Sequence, residues 1–379
     1  MSDYKFLQPY TFKNKGITVK NRIVIPPMTE EMSFANGEVT RDELRYYHIH
    51  SGGAGMYITG TSNVNPLGKG FEGELSADDD KFIPSLTKLA AAMHKDGTKA
   101  ILQIFSAGRM STTAILRGHQ PVSASAIKAT RNNSEEPREL SETEIEQTIK
   151  DFGQATRRAI IAGFDGVEIH GANTYLIQQF FSPHSNRRTD KWGGSVEKRM
   201  TFPLAVVDEV QRAIDEYADR PFLLGYRISP EEIENPGIRF DDTLKLIDEL
   251  KNKPIDYLHV SMGRVWRKSL NDPKIETPLN LPIKQHIGDL PLIGVGDIET
   301  PADAEDVIDK GLDFAAIGRE SLREPHWVQK IIAGDEDSIR YTVSPLDRED
   351  LGLVGNFWDF LMSNFHDAIK LSSEPDSKK

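Results

Sequence analysis

Eight short apolar or β-branched runs, each separated from the next by a longer stretch of helical period, constrain this chain more than any other feature. They are 22–28 (RIVIPPM), 55–61 (GMYITGT), 99–105 (KAILQIF), 164–170 (FDGVEIH), 221–229 (PFLLGYRIS), 256–261 (DYLHVS), 291–297 (PLIGVGD) and 314–319 (FAAIGR). Most are continuously apolar rather than alternating, as parallel strands covered by helices must be. The intervening helices carry their own start and stop signals. Ser141-Glu-Thr-Glu144 forms a capping box that opens a helix with apolar positions Ile145, Ile149, Phe152, Thr156, Ala159 and Ile160, ending at Gly163. Segments 241–250 and 301–310 behave alike, the latter entered through Thr300 and Pro301.

Eight βα units between residue 22 and about residue 334 specify an α/β fold, a (β/α)8 TIM barrel. The competing open, doubly wound sheet wants a glycine-rich turn after its first strand, and here that strand runs into IPPMTEE. Residues 1–371 are expected to form a single domain around this barrel, despite a length of 379 residues. An N-terminal β-hairpin over 4–20, turning at Asn14-Lys-Gly16, is expected to plug the barrel's N-terminal end. An extra apolar C-terminal helix is expected over 350–371, and a disordered tail over 372–379. The stretch 106–140 is too long for an ordinary βα loop, and such excess at a strand's C-terminal end points to function.

The net charge of −12 argues against nucleic acid or an anionic membrane as partner. With no cysteine, the chain can hold no disulfide, iron–sulfur cluster, thiolate zinc site or cysteine nucleophile. No signal-like start and no run of 18 apolar residues is present, so a cytoplasmic enzyme is the expectation.

A barrel puts its chemistry at the C-terminal ends of the strands, with phosphate held after strands seven and eight. His170 ends the fourth run, Arg227 lies near the end of the fifth, Gln103 near the end of the third, and Met28-Thr29 close the first. Gly294-Val-Gly296-Asp297 follows the seventh, and Gly318-Arg319 the eighth, a pairing suited to a phosphate-bearing ligand. The densest segment begins at His170-Gly-Ala-Asn173-Thr-Tyr175. Two donors three residues apart can polarise one carbonyl oxygen, and the phenol can protonate the neighbouring carbon.

This segment, continuing FFSPHSNRRTDKWGGSVEKR, resembles the signature of the Old Yellow Enzyme family, the FMN-dependent NAD(P)H oxidoreductases and ene-reductases. The likeness spans nearly the whole chain. It includes IPPMT at 25–29, Ile58-Thr-Gly-Thr61 with Asn65-Pro66, Gln103 with Ala107-Gly108-Arg109, Tyr226-Arg227-Ile-Ser229, and the two glycine elements after the seventh and eighth runs. The resemblance implies an FMN site formed by Pro27, Met28, Thr29, Gly60, Gln103, Arg227, Gly296, Gly318 and Arg319. It also implies catalysis by Tyr175, His170 and Asn173, NADH or NADPH as reductant, an enone-type small molecule as substrate and no metal; a homo-oligomer stays open. In that scheme Arg227 faces the N1 side of the flavin, Gln103 its pyrimidine edge, and Thr29 its O4 or N5.

The chain departs from its relatives at Thr29, where some have cysteine, at Glu31, where some have an aromatic residue, and at Ser106, where histidine is common. Asn173 separates it from relatives with two histidines. Glu31 would set an anion near the substrate mouth. Residues Asn186, Arg188, Asp190 and Arg199 read as a structural network, His48 and His50 as poor metal ligands, and 78–80 as a solvated helix start. Strand alternation turns Glu168 inward with His170, where Arg227 is the candidate counter-ion. Two other function classes fit less well: a metal-dependent barrel aldolase or hydrolase, which needs more converging ligands, and an FMN-binding sensor or scaffold without turnover.

Overall fold

The computed structural model describes residues 3–372. The eight expected strands all form, as β1 (Ile23–Ile25), β2 (Met56–Asn63), β3 (Lys99–Phe105), β4 (Gly166–Gly171), β5 (Leu223–Ile228), β6 (Tyr257–Val260), β7 (Leu292–Val295) and β8 (Phe314–Ala316). Each pairs in parallel with the next. Ala315 opposite Ile23 and Ala316 opposite Val24 close β8 onto β1, so no barrel edge is left unpaired. The helix after β3 runs Glu142–Ala162. Ser141 Oγ accepts from the Glu144 amide at 3.4 Å, and Gly163 ends it at φ +96°.

Alternation along the strands sorts the interior into layers. Gly166, Glu168 and His170 share one face of β4; Leu223, Gly225 and Arg227 share one face of β5; Tyr257 and His259 share one face of β6. The lowest layer is apolar. Ile58, Ile101, Leu223, Tyr257, Ile293 and Phe314 pack there in one buried cluster with Phe12, Ile17 and Val19 of the hairpin Tyr10–Phe12 and Ile17–Val19. Phe12 stacks on Phe314 with centroids 5.6 Å apart, so the hairpin does plug the N-terminal end. The layers above it are polar, and there the site begins.

Two expectations need adjustment. The C-terminal segment is two helices, Gly355–Asn364 and His366–Ile369, broken at Phe365, whose φ of −136° cannot continue a helix. The proposed tail, apart from Ser372, lies outside the described residues. Asp80, expected to be solvated, clasps Arg157 and Arg158 of the helix after β3, each at 2.8 Å. Among the described residues no helix is long and apolar enough to cross a membrane.

Candidate active site

A cavity of about 680 Å³ opens at the C-terminal end of the barrel. It brings together Pro27, Met28, Thr29, Tyr175, Arg227, Gly296, Gly318 and Arg319 from the C-terminal ends of five strands and the loops after them. The turn from Phe365 onward and the helix Gly355–Asn364 close one side with Phe357, Leu361 and Phe365, which no sequence pattern placed there. A second cavity of about 660 Å³ lies on the flank beside the 106–140 stretch and holds none of the expected site residues.

Of the twelve expected residues, Gly60, Gln103, His170 and Asn173 do not line the main cavity. Gly60 sits where β2 carries one extra residue against β3, between the pairs Ile58–Ile101 and Thr61–Gln103. A side chain there would meet Glu30 Oε2 at 2.5 Å and the Met28 carbonyl at 2.6 Å, and its amide already donates to Tyr47 Oη at 2.8 Å. Close packing therefore accounts for that glycine. Thr29 and Thr61 share a hydroxyl–hydroxyl bond of 3.3 Å.

Gln103 lies one layer below the mouth. Its Nε2 donates to Glu168 Oε1 at 2.7 Å, which leaves its buried Oε1 without a partner. Glu168 is fully buried, and its other oxygen accepts from His259 Nδ1 at 3.0 Å. Burial pushes the Glu168 carboxyl up, but His259, the charge of Arg227 and Gln103 outweigh it and hold the group below its ordinary value. Arg227 thus contributes at a distance, and the direct partner is His259, which sequence reasoning missed. Its only signal was position: it points inward on β6, the strand after Arg227.

His170 accepts the Ala172 amide on Nδ1 at 3.3 Å, so Nε2 carries the proton and is a donor. Burial, with the charges of Arg227 and His259, pushes its pKa well below the ordinary value, so the ring is neutral. Two residues of the turn that follows, Asn173 and Thr174, hold φ of +54° and +65°, a conformation rare for a β-branched residue such as Thr174. Gln178 and Gln179 lock it: Gln178 Oε1 accepts the Thr174 amide at 3.0 Å, and Gln179 Nε2 donates to the Thr174 carbonyl at 2.7 Å. Ser261 Oγ donates to Asn173 Oδ1 at 2.8 Å, which orients the amide and frees its Nδ2 as a donor. Ser261, at the end of β6, is a second residue the sequence reading passed over.

Tyr175 stands edge-on to His170 at 4.9 Å and to Phe105 at 5.0 Å. Burial, then the charge of Glu74, raises its pKa, so the phenol keeps its proton. Ser106 anchors the following turn by accepting the Leu176 amide at 2.9 Å. Glu31 does not line the cavity. Its carboxyl is raised by burial and by Glu72, and its carbonyl abuts Gly73.

At the far end, Gly296 at φ +119° could not carry a side chain, because its Cβ would sit 2.6 Å from the Arg264 amide. Gly318 differs. At φ −82°, a Cβ would meet nothing closer than Pro26 Cγ at 3.4 Å, so neither strain nor protein packing requires glycine. Its bare backbone widens the cavity beside Arg319, whose guanidinium pairs with Asp297.

A family model for the NADH:flavin oxidoreductase / NADH oxidase family matches residues 5–338. The chain belongs to that family. It is 48% identical over 350 residues to a Vibrio harveyi protein named NADH:acrylate oxidoreductase, covering 91% of this chain and 35% of that one, so it spans about a third of that relative. It is 44% identical to the probable NADH-dependent flavin oxidoreductase YqiG of Bacillus subtilis (strain 168), covering 94% and 95% of the two chains. An Old Yellow Enzyme homologue from Zymomonas mobilis superposes with TM-score 0.75 at 25% identity, covering 87% and 93%.

The cofactor of this flavin oxidoreductase family, FMN, suits the residues present. Arg227 is buried with Nε unpartnered, and Gln103 Oε1 is an unfilled acceptor. Such orphaned buried groups call for a ligand carrying both donors and acceptors. Gly318 and Arg319 leave room and charge for a phosphate at the opposite end. The expected structural network also forms: Arg188 pairs with Asp190 at 2.6 Å, Asn186 Nδ2 donates to the Phe180 and Trp192 carbonyls, and Arg199 Nε donates to the Phe181 carbonyl. Both ring nitrogens of His50 are taken by the Ser321 and Leu351 carbonyls. Among the described residues, no group of three or more histidine, aspartate or glutamate side chains is arranged to hold a metal.

Proposed function

We propose that this flavin oxidoreductase reduces activated alkenes, adding a hydride to the β-carbon and a proton to the α-carbon of an α,β-unsaturated carbonyl while NAD(P)H is oxidised to NAD(P)+. FMN, when bound, supplies the hydride transfer in both directions, from the nicotinamide and to carbon. His170 Nε2 and Asn173 Nδ2, beside cavity-lining Tyr175 rather than in the cavity wall, hold the substrate oxygen where it reaches past Tyr175 and stabilise the negative charge that grows there. Both are neutral donors with their partner atoms already occupied by Ala172 and Ser261, so neither must reorganise when that charge appears. Tyr175 then delivers its Oη proton to the α-carbon. Arg227 and Gln103 hold the flavin's polar edge, and Gly296, Gly318 and Arg319 hold its phosphate.

The single observation behind this reading is the ring of Tyr175 standing 4.9 Å from a histidine whose tautomer presents Nε2–H. Support also comes from the Vibrio harveyi relative, whose name gives acrylate as its substrate. Anaerobic reduction of the holoenzyme with NADH, followed by addition of 2-cyclohexenone, tests it. The flavin absorbance is expected to bleach and then return. A flavin that NADH reduces but no alkene reoxidises refutes alkene reduction and leaves the sensor reading.

A further inference from the structure

The long stretch after β3 reaches the active site through one side chain. Arg131 lines the same cavity as Tyr175 and Arg227, although 44 residues and a helix separate it from Tyr175 in the chain. Its guanidinium donates to the Met110 carbonyl, and among the described residues no carboxylate lies within 4.0 Å of it. The other two cavity arginines have counter-charges. Arg319 pairs directly with Asp297, whereas buried Arg227 has no carboxylate within 4.0 Å among the described residues and is balanced through space by the charge of Glu168. Arg131 is therefore the exposed arginine of this cavity with no carboxylate partner, in a chain of net charge −12.

The cavity it lines also has apolar surface. Phe71 stands edge-on to Tyr175 at 6.5 Å, and Met262 lines the same cavity. A guanidinium is more weakly hydrated than an ammonium even where it is exposed, as here, and can bind a planar oxyanion with two parallel N–H bonds. The charge also reaches the phenol, partly opposing the upward shift of Tyr175.

We infer that Arg131 selects alkenes that carry a carboxylate in addition to the activating carbonyl. The inference rests on the alkene-reducing reading: His170 and Asn173 take the carbonyl oxygen, and Arg131 takes the carboxylate beyond the reacting double bond. It makes the excess length of 106–140 a specificity device, since a short βα loop would leave this wall of the mouth open.

The test uses FMN-loaded holoenzyme, NADH-reduced under argon, with 4-oxopent-2-enoate and its methyl ester as probes. They share one enone and differ by the charge. The acid-to-ester ratio of kcat/KM is measured for the natural chain, Arg131→Gln and Arg131→Lys, because comparing ratios between variants cancels the different intrinsic reactivity of acid and ester. The glutamine variant is expected to lower the ratio roughly two- to fivefold, the range of an exposed ion pair, and lysine to restore part of it. An unchanged ratio in Arg131→Gln, with the ester still reduced, overturns this inference alone. A slower reduction by NADH with an unchanged ratio also overturns it and assigns Arg131 to the dinucleotide phosphates. If the natural chain reduces neither probe, both readings fall. Arg131 is exposed and makes one hydrogen bond, so the variants are expected to fold.

Discussion

Replacing Glu168 by glutamine tests whether the polar layer inside the barrel is held by a charge. In the natural chain the carboxylate accepts from Gln103 Nε2 at 2.7 Å and His259 Nδ1 at 3.0 Å, and it is the opposite charge nearest to buried Arg227. A glutamine can accept from only one of the two donors and turns its own NH2 toward the other. One buried donor is then left unsatisfied, which costs about 1–3 kcal/mol. Arg227 also loses its counter-charge, and breaking a fully buried pair costs about 3–5 kcal/mol. Arg227 is not in direct contact with Glu168 and keeps access to the cavity, so the pair cost does not apply in full and the unsatisfied donor sets the scale, about 1–3 kcal/mol. Urea unfolding followed by circular dichroism, after checking reversibility, measures the difference. Its pH dependence has a definite sign. Because the folded-state pKa of Glu168 lies below the ordinary 4.5, its contribution is present above pH 4.5 and fades as pH falls through the folded value. The gap between natural and variant proteins should therefore be full at pH 7 and shrink below pH 4.5. A gap under about 0.5 kcal/mol at pH 7, within the range of surface substitutions, would refute the argument.

Other outcomes follow from the same geometry. Tyr175→Phe should slow alkene-driven reoxidation by about 10²–10⁴-fold while sparing reduction by NADH, as stopped-flow absorbance would resolve; equal reoxidation rates would remove the proton-donor role. Asp297→Asn frees Arg319 and removes a carboxylate from the phosphate end, so FMN should bind up to about fivefold tighter by fluorescence titration. Weaker binding would mean that Asp297 positions Arg319 rather than competing for it. Phe12→Ala empties the ring that stacks on Phe314 in the barrel's lower plug and should cost about 3 kcal/mol in urea. FMN content should persist, because the cavity is at the opposite end.

The eight strands were legible in the sequence because parallel buried strands are short apolar runs, and each helix between them carried its own cap, as Ser141 and Thr300 do. The trio His170, Asn173 and Tyr175 was legible for a local reason as well: three chemistry-bearing side chains share one six-residue turn. What the chain could not announce was pairing across the barrel. Glu168 meets His259 91 residues away, because both point inward from strands that flank β5, and only the curved sheet brings such side chains together. Arg227, the partner suggested by adjacency, acts through its charge instead. The same holds for Ser261, which orients Asn173 from two strands away, and for Arg131 and Phe365, which reach the cavity from segments whose own patterns mark only a loop and a helix. Periodicity and capping are properties of neighbouring residues and survive in a linear string. Which buried donor faces which acceptor depends on strand register and closure, and those exist only once the apolar layer has packed.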